Sequence, residues 1–164
     1  MILSQYKKIS NKIFNLPFFN FVFVILCLSF VVVIPFAFLF VIFDVVSTPN
    51  PISEKSVVYQ IIAAVFIAPI LETLIFQSFI IYLFVDIFEE KSSIRRNASI
   101  FVSALIFVHL FSWDYALMTF LIGLVFAWAY LNYYERYGFT KAFWAITLVH
   151  ALRNTVAVLS DFIF

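Results

Sequence analysis

The sequence predicts an all-α protein: a polytopic bundle of about five transmembrane helices in a single membrane domain, residues 1–164, with a cytoplasmic amino terminus. Composition, long apolar runs and loop charge carry this reading. Of 164 residues, 65% are hydrophobic and 12% are charged, whereas a soluble domain has about a quarter charged. Mean hydropathy is +1.10, and several runs approach the roughly 20 apolar residues that cross a bilayer core. Basic residues collect on alternate loops, the positive-inside pattern. A net charge of +1 gives no general attraction to nucleic acid. Cys27, the only cysteine, lies in an apolar run as a small hydrophobe, so no disulfide framework or thiolate metal site is available.

The first span is predicted over 18–43. It carries no charge, and Pro35 should kink it. Its length and the lack of a small-residue cleavage pattern mark it as a retained span, not a signal peptide. Thr48 to Lys55 forms a proline-rich loop. The second span runs from Val57 to Val85. Pro69 removes a backbone donor inside it, so a tilted or broken helix restarting near Pro69 is expected. The third runs from Ala98 to Phe111, the fourth from Tyr115 to Tyr133 and the fifth from Ala142 to Phe164. SSIRRN, Ser92 to Asn97, reads as a solvated loop with an N-cap. Trp113, Tyr115, Tyr133, Tyr134 and Trp144 read as aromatics of the membrane interface. Lys7, Lys8 and Lys12 precede the first span, Lys91, Arg95 and Arg96 follow the second, and Arg136 and Lys141 follow the fourth. The loop after the first span holds Lys55 alone, and the loop after the third holds none.

Against this background Glu72, Gln77, His109, His150, Arg153 and Asn154 do not belong in lipid. A charge at a span centre costs about 2.5–3.5 kcal/mol on insertion scales, and such residues usually mark a pathway or site. At 1.5 Å per residue, Glu72, His109, His150 and Asn154 all lie roughly 14–20 Å from the cytoplasmic ends of their spans. His150 and Asn154 are four apart and share a helix face, with Arg153 at its border.

At these residues the chain resembles the CAAX prenyl protease and bacteriocin-processing family, also called CPBP or Abi, over a core of residues 57–164. The family's EExxxR motif follows a proline; here Pro69 precedes Glu72-Thr73 and Gln77. Its FxxxH motif is met by His109, with Leu105 in place of Phe. Its HxxxN motif is matched fully by His150 and Asn154. Thr73 and Gln77 replace a glutamate and an arginine together. The joint change avoids an unpaired buried charge, and a hydroxyl–amide pair between them is expected.

The resemblance implies an intramembrane endopeptidase acting on a membrane-associated peptide or protein. Glu72, His109, His150 and Asn154 would be catalytic: Glu72 activates a water beside His109, while His150 and Asn154 face the oxyanion. Thr73, Gln77 and Arg153 would be supporting. Two readings of the cofactor stay open. Glu72, His109 and His150 satisfy the three-ligand count of a catalytic zinc. With no second carboxylate left to act as base, the metal-free reading is favoured. A structural Glu72–Arg153 ion pair and a non-enzymatic binding or immunity protein of the same fold are the competing readings. A homo-oligomer would complete the wall of so short a bundle. The abundance of Phe, Ile, Lys and Asn suggests an AT-rich bacterial genome, and hence a bacterial cytoplasmic membrane.

Overall fold

A computed structural model of the chain describes residues 2–45, 54–87, 92–108 and 112–163. Among them there are six helices and no strand. Ahead of the first span comes α1 (Ile2–Phe14), an amphipathic helix. The first span is α2 (Phe18–Ile42) and the second is α3 (Val57–Ile87). Then follow α4 (Ser93–Ile106), α5 (Trp113–Tyr137) and α6 (Phe139–Ile163). Four of these, α2, α3, α5 and α6, are long and apolar enough to cross a membrane. The chain is a helical membrane protein.

α2 is apolar all round, so burial selects only one stripe of it. Phe21, Val22, Ile25 and Ser29 are buried, one helical face spaced by three and four residues. Phe19, Phe23 and Val31 remain exposed on the protein, as suits lipid-facing residues. The helix is interrupted at Val32–Val33 and resumes with Pro35 in its first turn. The interruption falls just ahead of the proline, where the kink is expected.

α5 and α6 form the centre. Phe126, Ala127, Ala129, Tyr130 and Leu131 of α5 are buried against Ala145, Ile146 and Val149 of α6. Gly138 alone joins the two helices. Its φ of 80° is a left-handed value that glycine adopts without a Cβ clash, and its N–H caps Tyr134 O at 2.8 Å. Gly123 lets α4 approach α5 closely: a Cβ there would lie 3.0 Å from Ala104 Cα.

Several expectations are corrected. α3 does not break at Pro69. It continues through π-helical stretches at Ile61–Ile67, Thr73–Phe79 and Leu83–Ile87, whose wider turns accommodate the proline. Ser92 is an N-cap, accepting from Arg95 N at 3.3 Å, but Ser93–Asn97 is already α4 and not a loop. The described helix of the third expected span ends at Ile106 after 14 residues, shorter than a bilayer crossing. Residues 109–111 lie outside the described part. Tyr133 is a core residue, not an interface aromatic: it is buried and stacks on Phe21 at 4.0 Å between ring centroids.

Polar ties gather at one end of the bundle. Arg96 of α4 pairs with Glu135 of α5. Arg136 donates to Asn15 Oδ1 at 2.5 Å and Asn11 Oδ1 at 3.2 Å. Tyr137 Oη donates to Phe14 O at 3.0 Å, and Tyr134 Oη donates to Asp86 Oδ2 at 2.7 Å. These bonds seat α1 and the end of α3 on α5.

Candidate active site

Two helices supply the described part of the site. On α3, Glu72 closes the short α-helical stretch Ala68–Glu72, between two π-helical ones. Such insertions are rare and recur at functional sites. On α6, the buried stripe of Ala142, Ile146, Val149 and His150 carries the imidazole into the bundle. Glu72 Oε2 and His150 Nε2 lie 3.7 Å apart, with side chains 20% and 6% exposed. The rings of Phe107 and Phe126 flank the imidazole, with centroids at 5.5 Å and 5.4 Å. Little water reaches this pair, and charge interactions strengthen as the effective dielectric falls.

Asn154, one turn beyond His150, also faces α3. Its Nδ2 donates to Ala64 O at 2.7 Å. The structure thus brings Glu72, His150 and Asn154 to the α3–α6 interface. His109 lies outside the described residues.

The supporting residues behave differently from expectation. Thr73 and Gln77 are fully buried. The Thr73 hydroxyl and both Gln77 amide atoms have no hydrogen-bond partner among the described residues, so the expected hydroxyl–amide pair is not formed. The π register instead returns Ser78, five residues on, to Thr73: Ser78 Oγ donates to Thr73 O at 3.0 Å. Arg153 turns away from Glu72. Its Nη1 donates to Ser29 O at 3.1 Å and lies 3.4 Å from Ser29 Oγ, and its guanidinium sits over the Phe30 ring at 4.4 Å. The competing reading, a structural ion pair of Glu72 with Arg153, is not formed; Arg153 ties α6 to α2 instead.

Three further residues escaped sequence reasoning. Ser29 receives Arg153. Ser103 Oγ donates to Phe76 O at 2.6 Å, fixing α4 beside the Thr73–Gln77 stretch. Thr147, one turn before His150, is buried with its hydroxyl unpartnered among the described residues. The available signal was the same in each case: a lone hydroxyl in an otherwise apolar run.

The described residues contain no group of three metal-binding side chains. Glu72 and His150 supply two of the three protein ligands that a catalytic zinc takes; the third expected ligand, His109, is not among the described residues.

A helical membrane bundle with a shielded carboxylate–imidazole pair where two spans cross has the parts of an intramembrane hydrolase. Comparison with known families gives the particular case. Residues 54–156 match the family described as type II CAAX prenyl endopeptidase, Rce1-like, and the chain belongs to it, a family of membrane proteases. The match covers Glu72, Thr73, Gln77, His150, Arg153 and Asn154. No curated protein and no solved structure matches the chain.

Proposed function

We propose that the protein is an intramembrane endopeptidase that hydrolyses a peptide bond of a membrane-associated substrate, with Glu72 as the base that activates water. The Glu72–His150 approach at 3.7 Å carries this reading. A carboxylate and an imidazole at that separation can hold one water between them. The carboxylate takes the proton as the water oxygen attacks the scissile carbonyl, and returns it to the amine nitrogen as the tetrahedral intermediate collapses and the C–N bond breaks. The imidazole and the second N–H of Asn154, one turn apart on α6, are proposed to donate to the oxyanion that results. His109 enters this reading through the resemblance alone, as a further partner of Glu72 and the water. If a zinc is bound, Glu72 and His150 are the described residues that would hold it, and the metal would supply Lewis acidity to the water.

The substrate is proposed to carry a lipid. A cavity of about 570 Å³ lies between α3 and α5 toward the Tyr134–Phe139 end of the bundle, lined by residues such as Leu74, Ile75, Phe79, Ile81, Tyr82 and Tyr130 and by none of Glu72, His150 and Asn154. It begins two residues past Glu72 on α3, and its walls are apolar enough for an isoprenoid chain. The membrane is proposed to be a bacterial cytoplasmic membrane, with the end bearing Lys12, Arg96 and Arg136 inside. The test is cleavage of a quenched-fluorescent farnesylated peptide ending in a CAAX sequence by the purified protein. Wild type should cleave, and Glu72→Gln and His150→Ala should not. Cleavage that survives both changes would overturn the reading. A chelator arm with metal analysis separates the two cofactor readings.

A further inference from the structure

We propose that Pro69 is a positioning residue: it leaves the Ala64 carbonyl open so that Asn154, and not the helix itself, occupies it. In the first π-helical stretch the N–H of Ala68 bonds to Ala63 O, five residues back. The next N–H in that register belongs to residue 69 and would reach Ala64 O. Proline has no N–H, so the wide ladder stops there and Ala64 O loses its helical donor. An orphaned carbonyl deep in a membrane bundle must find another donor. That donor is Asn154 Nδ2, at 2.7 Å from Ala64 O.

The bond fixes more than the packing. A carbonyl oxygen accepts only from a donor, so the Asn154 amide must present Nδ2 to Ala64 and turn Oδ1 away. One N–H of Nδ2 is then committed, and the other, on a residue that shares a helix face with His150, is held by the same bond. An ordinary residue at 69 would return Ala64 O to the helix. The amide of Asn154 would then be released to rotate.

The catalytic part of this inference rests on the peptidase reading; the structural part does not. Wild type, Pro69→Ala, Asn154→Ala and the double variant are compared in detergent by apparent Tm and by turnover of the farnesylated peptide. Asn154→Ala should lower Tm by roughly 2–5 °C. Pro69→Ala should not lower Tm, and in its background Asn154→Ala should cost less than half as much, because residue 69 now supplies the N–H. Pro69→Ala should also lower kcat about tenfold to a hundredfold with KM unchanged, a split that a merely structural proline does not produce. Pro69→Gly, which supplies the same N–H without a Cβ, repeats the cycle if the alanine variant fails to fold. An equal Tm cost of Asn154→Ala in both backgrounds overturns the proposal, as does a wild-type kcat in Pro69→Ala. Absence of cleavage by wild type would sink the peptidase reading instead, and the Tm cycle would still decide the Ala64–Asn154 coupling.

Discussion

Arg153 Nη1 lies 3.1 Å from Ser29 O, and that carbonyl lacks its usual helical donor. The N–H of Val33, four residues on, goes to Phe30 O at 3.1 Å, where α2 is interrupted before Pro35. The guanidinium of α6 thus caps a break in the first span. It is the neighbour of Asn154, which performs the same service for Ala64 on α3. Two consecutive residues of one helix therefore satisfy carbonyls that irregularities in two other helices leave open.

Removing Arg153 should therefore loosen α2. Arg153→Leu leaves Ser29 O without a donor, at a cost of about 1–3 kcal/mol. That is a fall of roughly 2–10 °C in apparent Tm for a chain of this size, read by thermal unfolding in detergent. Arg153→Lys should recover part of the loss, because the ammonium can still donate. Since the bond does not touch Glu72 or His150, turnover per folded molecule should be unchanged.

Glu72→Gln keeps the shape of the side chain and removes the base. Peptide cleavage should fall by roughly 10²–10⁴-fold, while the unfolding curve stays that of wild type. A loss of activity that tracks a loss of Tm would instead mark Glu72 as structural.

The Thr73–Gln77 stretch makes the opposite kind of prediction. Both polar atoms of the Gln77 amide are buried without a partner among the described residues. Gln77→Met is close in volume and carries no such atoms. It should raise stability by about 1–3 kcal/mol, measured as a higher Tm. An unchanged or lower Tm would mean that the amide is satisfied after all.

The two glycines should fail for different reasons. Gly123→Ala places a Cβ 3.0 Å from the backbone of Ala104, so α4 must move off α5, at about 1–3 kcal/mol. Gly138→Ala meets nothing within 4 Å and pays only for its backbone at φ 80°, ψ 177°, a region almost reserved for glycine, about 1–3 kcal/mol. Chemical unfolding of the two variants should rank them in that order or place them close together.

Four of the expected spans were legible in the sequence because burial in lipid is written into composition; the third expected span is not among the described helices long enough to cross. That Glu72 and His150 share one polar layer was legible from their depth and motif order; their direct approach was not, since the sequence pairs Glu72 with His109. What stayed hidden depends on backbone detail. The amphipathic α1 averages close to neutral hydropathy and leaves no span signal. Arg153 had a choice between Glu72 and Ser29, and that choice turns on which carbonyl had lost its N–H. Pro69 could have broken α3 or widened it, and periodicity does not distinguish the two. Tyr133 reads as an interface residue until Phe21 is seen stacked against it. The part assigned to His109 by its motif falls outside the described residues.

The single-residue joint at Gly138 has a consequence for how the protein is made. Taken alone, α6 is a poor passenger for a bilayer, since Arg153 by itself costs about 2.5–3.5 kcal/mol on insertion scales, and His150 and Asn154 add to that. With no loop to pause in, α6 follows α5 into the membrane as the second arm of one hairpin. Its polar residues then meet partners already in place, Ser29 of α2 for Arg153, Ala64 of α3 for Asn154 and Glu72 of α3 for His150, and the site residues are delivered by a helix that could not easily have entered by itself.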